Sequence, residues 1–168
     1  MGRRVNGNIG FYRNWATYRN GFGDLLGNFW LGNQALYRLT NANNYELRMD
    51  VKFNGQNFYA KFSSFRVENE SQKFRLRLGT YSGTVGDTAG FGMNYSNNRA
   101  FSTHDRDNDG TDRLSCAVNG KSAWWYDRCT KVDLNGEYDK KTPPKGIRWN
   151  NGVANRYATF TEMKIRRV

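Results

Sequence analysis

The stretch Phe101–Gly136, FSTHDRDNDGTDRLSCAVNGKSAWWYDRCTKVDLNG, decides how the chain is read. Acids recur at every second position, Asp105, Asp107 and Asp109, just ahead of Gly110. Both cysteines of the chain, Cys116 and Cys129, follow, with the Trp124-Trp125-Tyr126 triplet between them. Carboxylates this close repel one another, so a loop that keeps three has reason to hold a cation. Oxygen donors point to Ca²⁺ rather than to Zn²⁺ or a redox metal. A solvated acidic turn is the alternative. The Asp-x-Asp-x-Asp-Gly run matches the start of an EF-hand loop, but the position of the closing bidentate Glu is Cys116, and no amphipathic helices flank the loop. An EF-hand is therefore excluded. Two cysteines 13 residues apart, with no CxxC and one histidine in the chain, make a poor metal site. They point to a disulfide and an oxidising compartment, with two free buried thiols as the alternative. Closing such a loop contributes about 3 kcal/mol on the chain-entropy model.

Upstream, Tyr45–Phe53 alternates with period two, placing Tyr45, Leu47, Met49, Val51 and Phe53 on one face. Asn54-Gly55 supplies a hairpin turn. The pattern predicts a return strand over Phe58–Val67 and a third over Lys73–Leu78, an antiparallel meander. Before it, Asn14–Asn20 reads as a short helix with Asn14 as N-cap and Gly21 as stop, sharing Trp15 and Tyr18 on one face. Asn33 is expected to cap a second helix, Gln34–Leu39, that buries Leu36 and Leu39. Ala158–Arg166 reads as a closing strand. Between these parts, residues 79–98 are rich in Gly, Ser, Thr and Asn, without a phosphate-binding signature. Asn69 and Asn94 each begin a glycosylation sequon.

The chain has 168 residues, enough for one domain with a real core. Apolar residues make up 38% and aromatic residues 15%, so rings must build much of that core. No apolar run approaches the length of a membrane span, and no membrane insertion is expected. Lys and Arg total 26 against 15 Asp and Glu, a net charge of +11 that favours anionic partners. The basic residues are scattered and accompany no nucleic-acid-binding motif, which argues against nucleic acid and leaves an anionic glycan or a merely soluble surface. His104 is the one histidine, so no Ser-His or Cys-His pair is expected, and a Ca²⁺ held by the acidic loop would keep its carboxylates ionised. The chain is expected not to be an enzyme.

FST-x-D-x-DND, then Cys116, WWY-x-x-C and LNG resemble the C-terminal half of a fibrinogen-like domain, as in ficolins, tachylectins, tenascins, angiopoietins and the fibrinogen chains. Asn14–Thr40 and the closing TEMKIRR resemble other parts of the same family, in the right order, from about Val5 to Arg167. The resemblance implies an α+β fold: a twisted antiparallel sheet with short helices plus a loop-rich C-terminal Ca²⁺-binding subdomain. One domain over 1–168 is expected, its sheet part about 1–90 and 155–168, its Ca²⁺ and ligand subdomain about 91–154. Relatives usually carry an earlier segment with its own cysteine pair, and Met1 stands before sequence resembling mid-domain, with no apolar leader. The resemblance also implies an extracellular, secreted module, with Ca²⁺ held by Asp107 and Asp109 and by carbonyls near Thr111 and Arg113. It implies a Cys116–Cys129 disulfide preceded by a cis Arg128–Cys129 peptide.

In ficolin-like relatives acetylated sugars sit in an aromatic pocket beside the Ca²⁺ loop. Matching its positions here puts Gly120, Thr130 and Pro143-Pro144 where the pocket carries tyrosines, a histidine and alanine, so the usual acetyl pocket is expected to be absent or rebuilt. A ligand is expected between Asn119, Gly120, Trp125, Thr130 and the lysines Lys140, Lys141 and Lys145, with a purely core Trp125 as the alternative. Two functions follow: a lectin-like pattern-recognition module of innate immunity that binds acetylated or anionic microbial glycans, or a tenascin- or angiopoietin-like module that binds a matrix or receptor protein. Oligomerisation is left open.

Overall fold

The structure, a computed structural model, describes residues 1–88 and 90–168. Strand β1 (Gly2–Arg4) precedes helix α1 (Trp15–Asn20), whose start is fixed by the Asn14 side chain accepting the Thr17 N–H at 3.0 Å. Gly21, at φ 90°, ends the helix, and Trp15 and Tyr18 are buried on its inner face. The short strands β2 (Phe22–Gly23) and β3 (Phe29–Trp30) lead into helix α2 (Asn33–Ala42). Strand β4 (Tyr45–Phe53) buries Leu47, Met49, Val51 and Phe53, as its alternation requires. It turns at Asn54-Gly55 into β5 (Gln56–Phe62); β6 (Phe65–Val67), β7 (Leu76–Leu78) and β8 (Tyr81–Gly83) follow. Then come β9 (Phe101–Ser102), helix α3 (Cys116–Gly120), β10 (Trp124–Trp125), β11 (Val132–Asp133), β12 (Arg148–Asn150), β13 (Asn155–Tyr157) and β14 (Phe160–Arg167).

Seven strands form the main sheet in the order β2-β3-β1-β14-β4-β5-β8. The last strand thus lies between the first strand and β4, with Met163 opposite both Gly2 and Met49. On its outer face the charges pair: Lys61 and Arg166 both reach Glu46, at 2.8 and 2.7 Å, and Arg48 and Lys164 both reach Asp50. The second half is loops stitched by small sheets, β9 with β10 and β11-β12-β13. A cluster of rings joins the halves. Trp30 lies 5.7 Å from Tyr18, 6.1 Å from Phe101 and 6.0 Å from Trp125, all fully or almost fully buried.

Three expectations about the elements need correction. The meander does not continue into Lys73–Leu78: Asn69 caps a turn of 3-10 helix, and the chain leaves it through Lys73 and Phe74 at positive φ (56° and 49°), which no strand tolerates. Only Leu76–Leu78 is extended. It pairs with β6 in a separate two-stranded sheet, because the return strand breaks at Ser63-Ser64, and β8 takes the place beside β5. Helix α2 begins at Asn33 rather than being capped by it. Asn33 is buried and accepts from Trp30 Nε1 at 2.9 Å, while Leu39 stays 40% exposed. Of the sequon positions, Asn69 is exposed, but Ser96, in the Asn94 sequon, is buried against Thr130.

Candidate functional site

The acidic loop divides its aspartates between two jobs. Asp105 accepts the Trp15 N–H at 2.9 Å and the Thr103 hydroxyl at 2.7 Å, which ties the loop to the start of α1. Burial pushes its pKa up, but these donors more than offset that and hold it below the ordinary value. Asp107 and Asp109 instead line an open cleft of about 390 Å³, together with Thr111, Asp112 and Arg113. The loop winds on side-chain-to-backbone bonds: Asp107 Oδ1 accepts the Asp109 N–H at 3.2 Å, and Asp109 accepts the N–H groups of Thr111 and Cys116, both at 2.9 Å. Gly110 leaves room for Asp127, whose Oδ1 would lie 2.2 Å from a Cβ there and would have to move aside. Burial raises the Asp109 pKa, the Cys116 and Thr111 N–H groups pull it back, and the charge of Asp107 adds to the rise. Among the described residues no three His, Cys, Asp or Glu side chains converge on one point. A cation in this cleft would therefore take two carboxylates and complete its shell from backbone oxygens and water, a donor set that fits Ca²⁺.

Cys116 and Cys129 are joined, with Cα atoms 5.0 Å apart. The bond closes the loop that carries α3 and the tryptophan pair. The expected cis peptide before Cys129 is not there: among the described residues the one cis bond is Pro143–Pro144. The chain reverses at this cysteine by another route. Cys129 adopts φ 55°, and its carbonyl accepts the Asp127 N–H at 2.8 Å, so the turn closes without the cost of a cis non-proline bond.

The residues expected to touch a ligand separate into two sets. Trp125 is fully buried and donates from Nε1 to the Phe74 carbonyl at 2.8 Å, so it is core and not a wall that a ligand meets. Thr130 is also sealed: its hydroxyl donates to the Val132 carbonyl at 2.6 Å, and its own carbonyl accepts from Arg148 at 2.6 Å. Gly120 is buried, and a Cβ there would sit 3.7 Å from the Tyr126 hydroxyl and 3.8 Å from the Pro144 carbonyl. Asn119, Lys140 and Lys141 are exposed and Lys145 half-buried.

Behind Gly120 lies a polar cluster that sequence reasoning missed. Buried Asp133 accepts from the Tyr126 hydroxyl at 2.8 Å, the Ser122 hydroxyl at 2.9 Å and the Asn135 N–H at 3.0 Å. Burial raises its pKa to about 6 despite these donors. The aspartate stands beside LNG in the sequence, but nothing in its spacing shows that it turns inward.

A family model described as fibrinogen beta and gamma chains, C-terminal globular domain, matches residues 1–168. The chain belongs to this family. Tenascin-R of Homo sapiens is 40% identical over 165 residues, which cover 98% of this chain and 12% of tenascin-R. Ryncolin-4 of Cerberus rynchops is 42% identical over 170 residues, which cover 98% of this chain and 48% of ryncolin-4. This fibrinogen-like domain thus spans less than half of either relative. Among solved structures, the fibrinogen-like globe domain of human ANGPTL2 superposes with a TM-score of 0.91 at 35% identity, covering 99% of this chain and 78% of that one. Lamprey fibrin D-dimer, complexed with the peptide Gly-His-Arg-Pro-amide, superposes at 0.87 with 30% identity, covering 98% and 59%. Among the described residues no helix is long and apolar enough to cross a membrane.

Proposed function

We propose that this fibrinogen-like domain is a secreted, extracellular recognition module, stabilised by Ca²⁺, that binds glycans and favours anionic microbial polysaccharides, a role in innate defence. The observation that carries this reading is a contrast in charge pairing. Four basic residues of the sheet, Arg48, Lys61, Lys164 and Arg166, are held by Glu46 and Asp50, whereas Lys140, Lys141 and Lys145 stand together on one loop with no carboxylate within ion-pair distance among the described residues. An unneutralised cluster beside α3 attracts sulfate, phosphate or carboxylate groups in a salt-dependent way.

Asp107 and Asp109, with carbonyls near Thr111 and Arg113, would hold the Ca²⁺. Bound there, it neutralises the carboxylates and locks the loop against Cys116. Its part is to fix the surface rather than to meet the ligand. Catalysis is not part of the proposal: His104 packs its ring 4.8 Å from that of Tyr12, and Asp105 is engaged with Trp15 and Thr103.

A second reading, a tenascin- or angiopoietin-like module for a matrix or receptor protein, is favoured by one observation. With Gly120, Trp125 and Thr130 all buried, the place of the acetyl pocket offers a surface rather than a cavity. Binding of an anionic polysaccharide to wild type and to the triple variant Lys140→Ala, Lys141→Ala, Lys145→Ala, across salt concentrations, separates the two. Glycan recognition by this loop predicts weaker binding and a shallower salt dependence in the variant. Identical curves would send the charge elsewhere and leave the protein-binding reading.

A further inference from the structure

The two sequons, Asn69-Glu70-Ser71 and Asn94-Tyr95-Ser96, have no part in the cation cleft or the lysine loop, and the fold treats them differently. An N-linked sugar needs an asparagine whose amide nitrogen reaches solvent, a hydroxyl two residues on, and open space around both.

At Asn69 the fold meets all three needs. The side chain caps the 3-10 turn Glu70–Gln72: its Oδ1 accepts the Gln72 N–H at 3.0 Å and the Ser71 hydroxyl at 2.7 Å. The Gln72 N–H can only donate, so the atom facing the turn is the carbonyl oxygen and Nδ2 is the atom turned away. Nδ2 makes no hydrogen bond among the described residues, and Asn69, Ser71, Gln72 and Lys73 are all exposed. A glycosidic bond is made to Nδ2, which leaves Oδ1 free to keep the cap, so a sugar here leaves the turn intact. The turn is also well supported. Glu70 accepts from Trp15 Nε1 at 2.7 Å and from Arg19 Nε at 2.8 Å, and the Phe74 N–H donates to the Asn69 carbonyl at 3.0 Å.

The Asn94 sequon lies in a 3-10 turn, Met93–Ser96, that faces inward. Asn94 is half-buried, and its N–H is held by Asp87 at 3.2 Å. Met93 beside it is fully buried, and so is Ser96, whose hydroxyl lies 3.3 Å from that of Thr130. Once this turn has packed, the hydroxyl of the sequon is out of reach.

We propose that Asn69, rather than Asn94, is an N-glycosylation site, taking an oligosaccharide that begins with N-acetylglucosamine. A bond forms between Asn69 Nδ2 and the anomeric carbon of that sugar. The bond from the same carbon to the diphosphate of a lipid-linked oligosaccharide breaks, the lipid diphosphate leaves, and Nδ2 gives up one proton to the transferase. Donor and transferase belong to the secretory pathway of the cell that makes the chain, so the site rests on the secreted reading above.

The test is expression behind a cleavable leader in cultured animal cells, with the chain recovered from both medium and lysate. Peptide mapping after peptide-N-glycosidase in heavy-oxygen water marks an occupied asparagine as a labelled aspartate. The label is expected at Asn69 of the wild type and not at Asn94. Asn69→Asp, which keeps a capping oxygen, and Ser71→Ala, which keeps Asn69, should each abolish the sugar and still fold, while Asn94→Gln should leave it in place. Enzymatically deglycosylated wild type has the same sequence as Asn69→Asp, so the two should unfold at the same temperature, which shows that the variant lost the sugar and not the fold. A labelled chain found only in the lysate would support the site while counting against secretion. An unlabelled Asn69 in both fractions, a label at Asn94, or sugar retained in Asn69→Asp or Ser71→Ala would overturn the proposal.

Discussion

The two halves of the molecule are held in different ways. In the sheet, β14 lies against β4 over eight residue pairs, from Phe160 opposite Lys52 to Arg167 opposite Tyr45, and one face is apolar while the other pairs its charges. In the loop-rich half no strand exceeds three residues. There the backbone is satisfied by side chains instead: Asp109 takes the N–H groups of Thr111 and Cys116, Asp133 that of Asn135, and Asn135 donates to the Ala123 carbonyl. Regular pairing makes a stable platform and leaves little room for chemistry. Side-chain-built loops gather carboxylates, lysines and cavities, at the cost of depending on a few residues.

That dependence is open to test. The largest effect is expected from Trp125→Ala. With its ring fully buried among Trp30, Phe101 and Trp124, removal should cost about 3–5 kcal/mol in a denaturant titration. A ligand-facing tryptophan would instead leave stability nearly unchanged. Next comes the double variant Cys116→Ser, Cys129→Ser. Opening this loop should lower stability by about 3 kcal/mol and loosen the Cys116 N–H that holds Asp109. Unaltered thermal unfolding would show that the loops stand without the bond.

A smaller effect, of order 2–3 kcal/mol at most, should come from Asp133→Asn, read through pH. Burial lifts the Asp133 carboxyl from 3.8 to about 6, so the folded state holds its proton more tightly than the unfolded chain. Stability contributed by this group is greatest below the unfolded value and falls as pH rises between about 4 and 6. The stability of wild type minus that of the variant should therefore drop across this range. A difference that stays flat with pH would mean that Asp133 carries no such penalty.

The same contrast explains what could be read from the chain. Period two at Tyr45–Phe53 and the Asn14 cap were legible because local pattern and final burial agree there. The third strand was misread because Lys73 and Phe74 alternate correctly on paper while a capped 3-10 turn sends both to positive φ, a backbone event that hydrophobic spacing does not encode. At the site, Asp107, Asp109, Thr111 and Arg113, expected together as cation ligands from the acid run and the family resemblance, do line one cleft, being neighbours in sequence. Trp125, Thr130 and Asp133 were not legible in this way, since whether each faces inward depends on contacts with Phe74, Val132 and Tyr126 that only the fold brings about.

The central claim, that the loop-built half is organised around a cation, is tested most directly by calorimetric titration of Ca²⁺ into the metal-free wild type and Asp107→Ala. Asp107 is the better target because Asp109 also anchors Thr111 and Cys116. One Ca²⁺ bound by wild type, with affinity lost in the variant while the fold persists, is the expected result. No binding by wild type, or equal binding by both proteins, would contradict it.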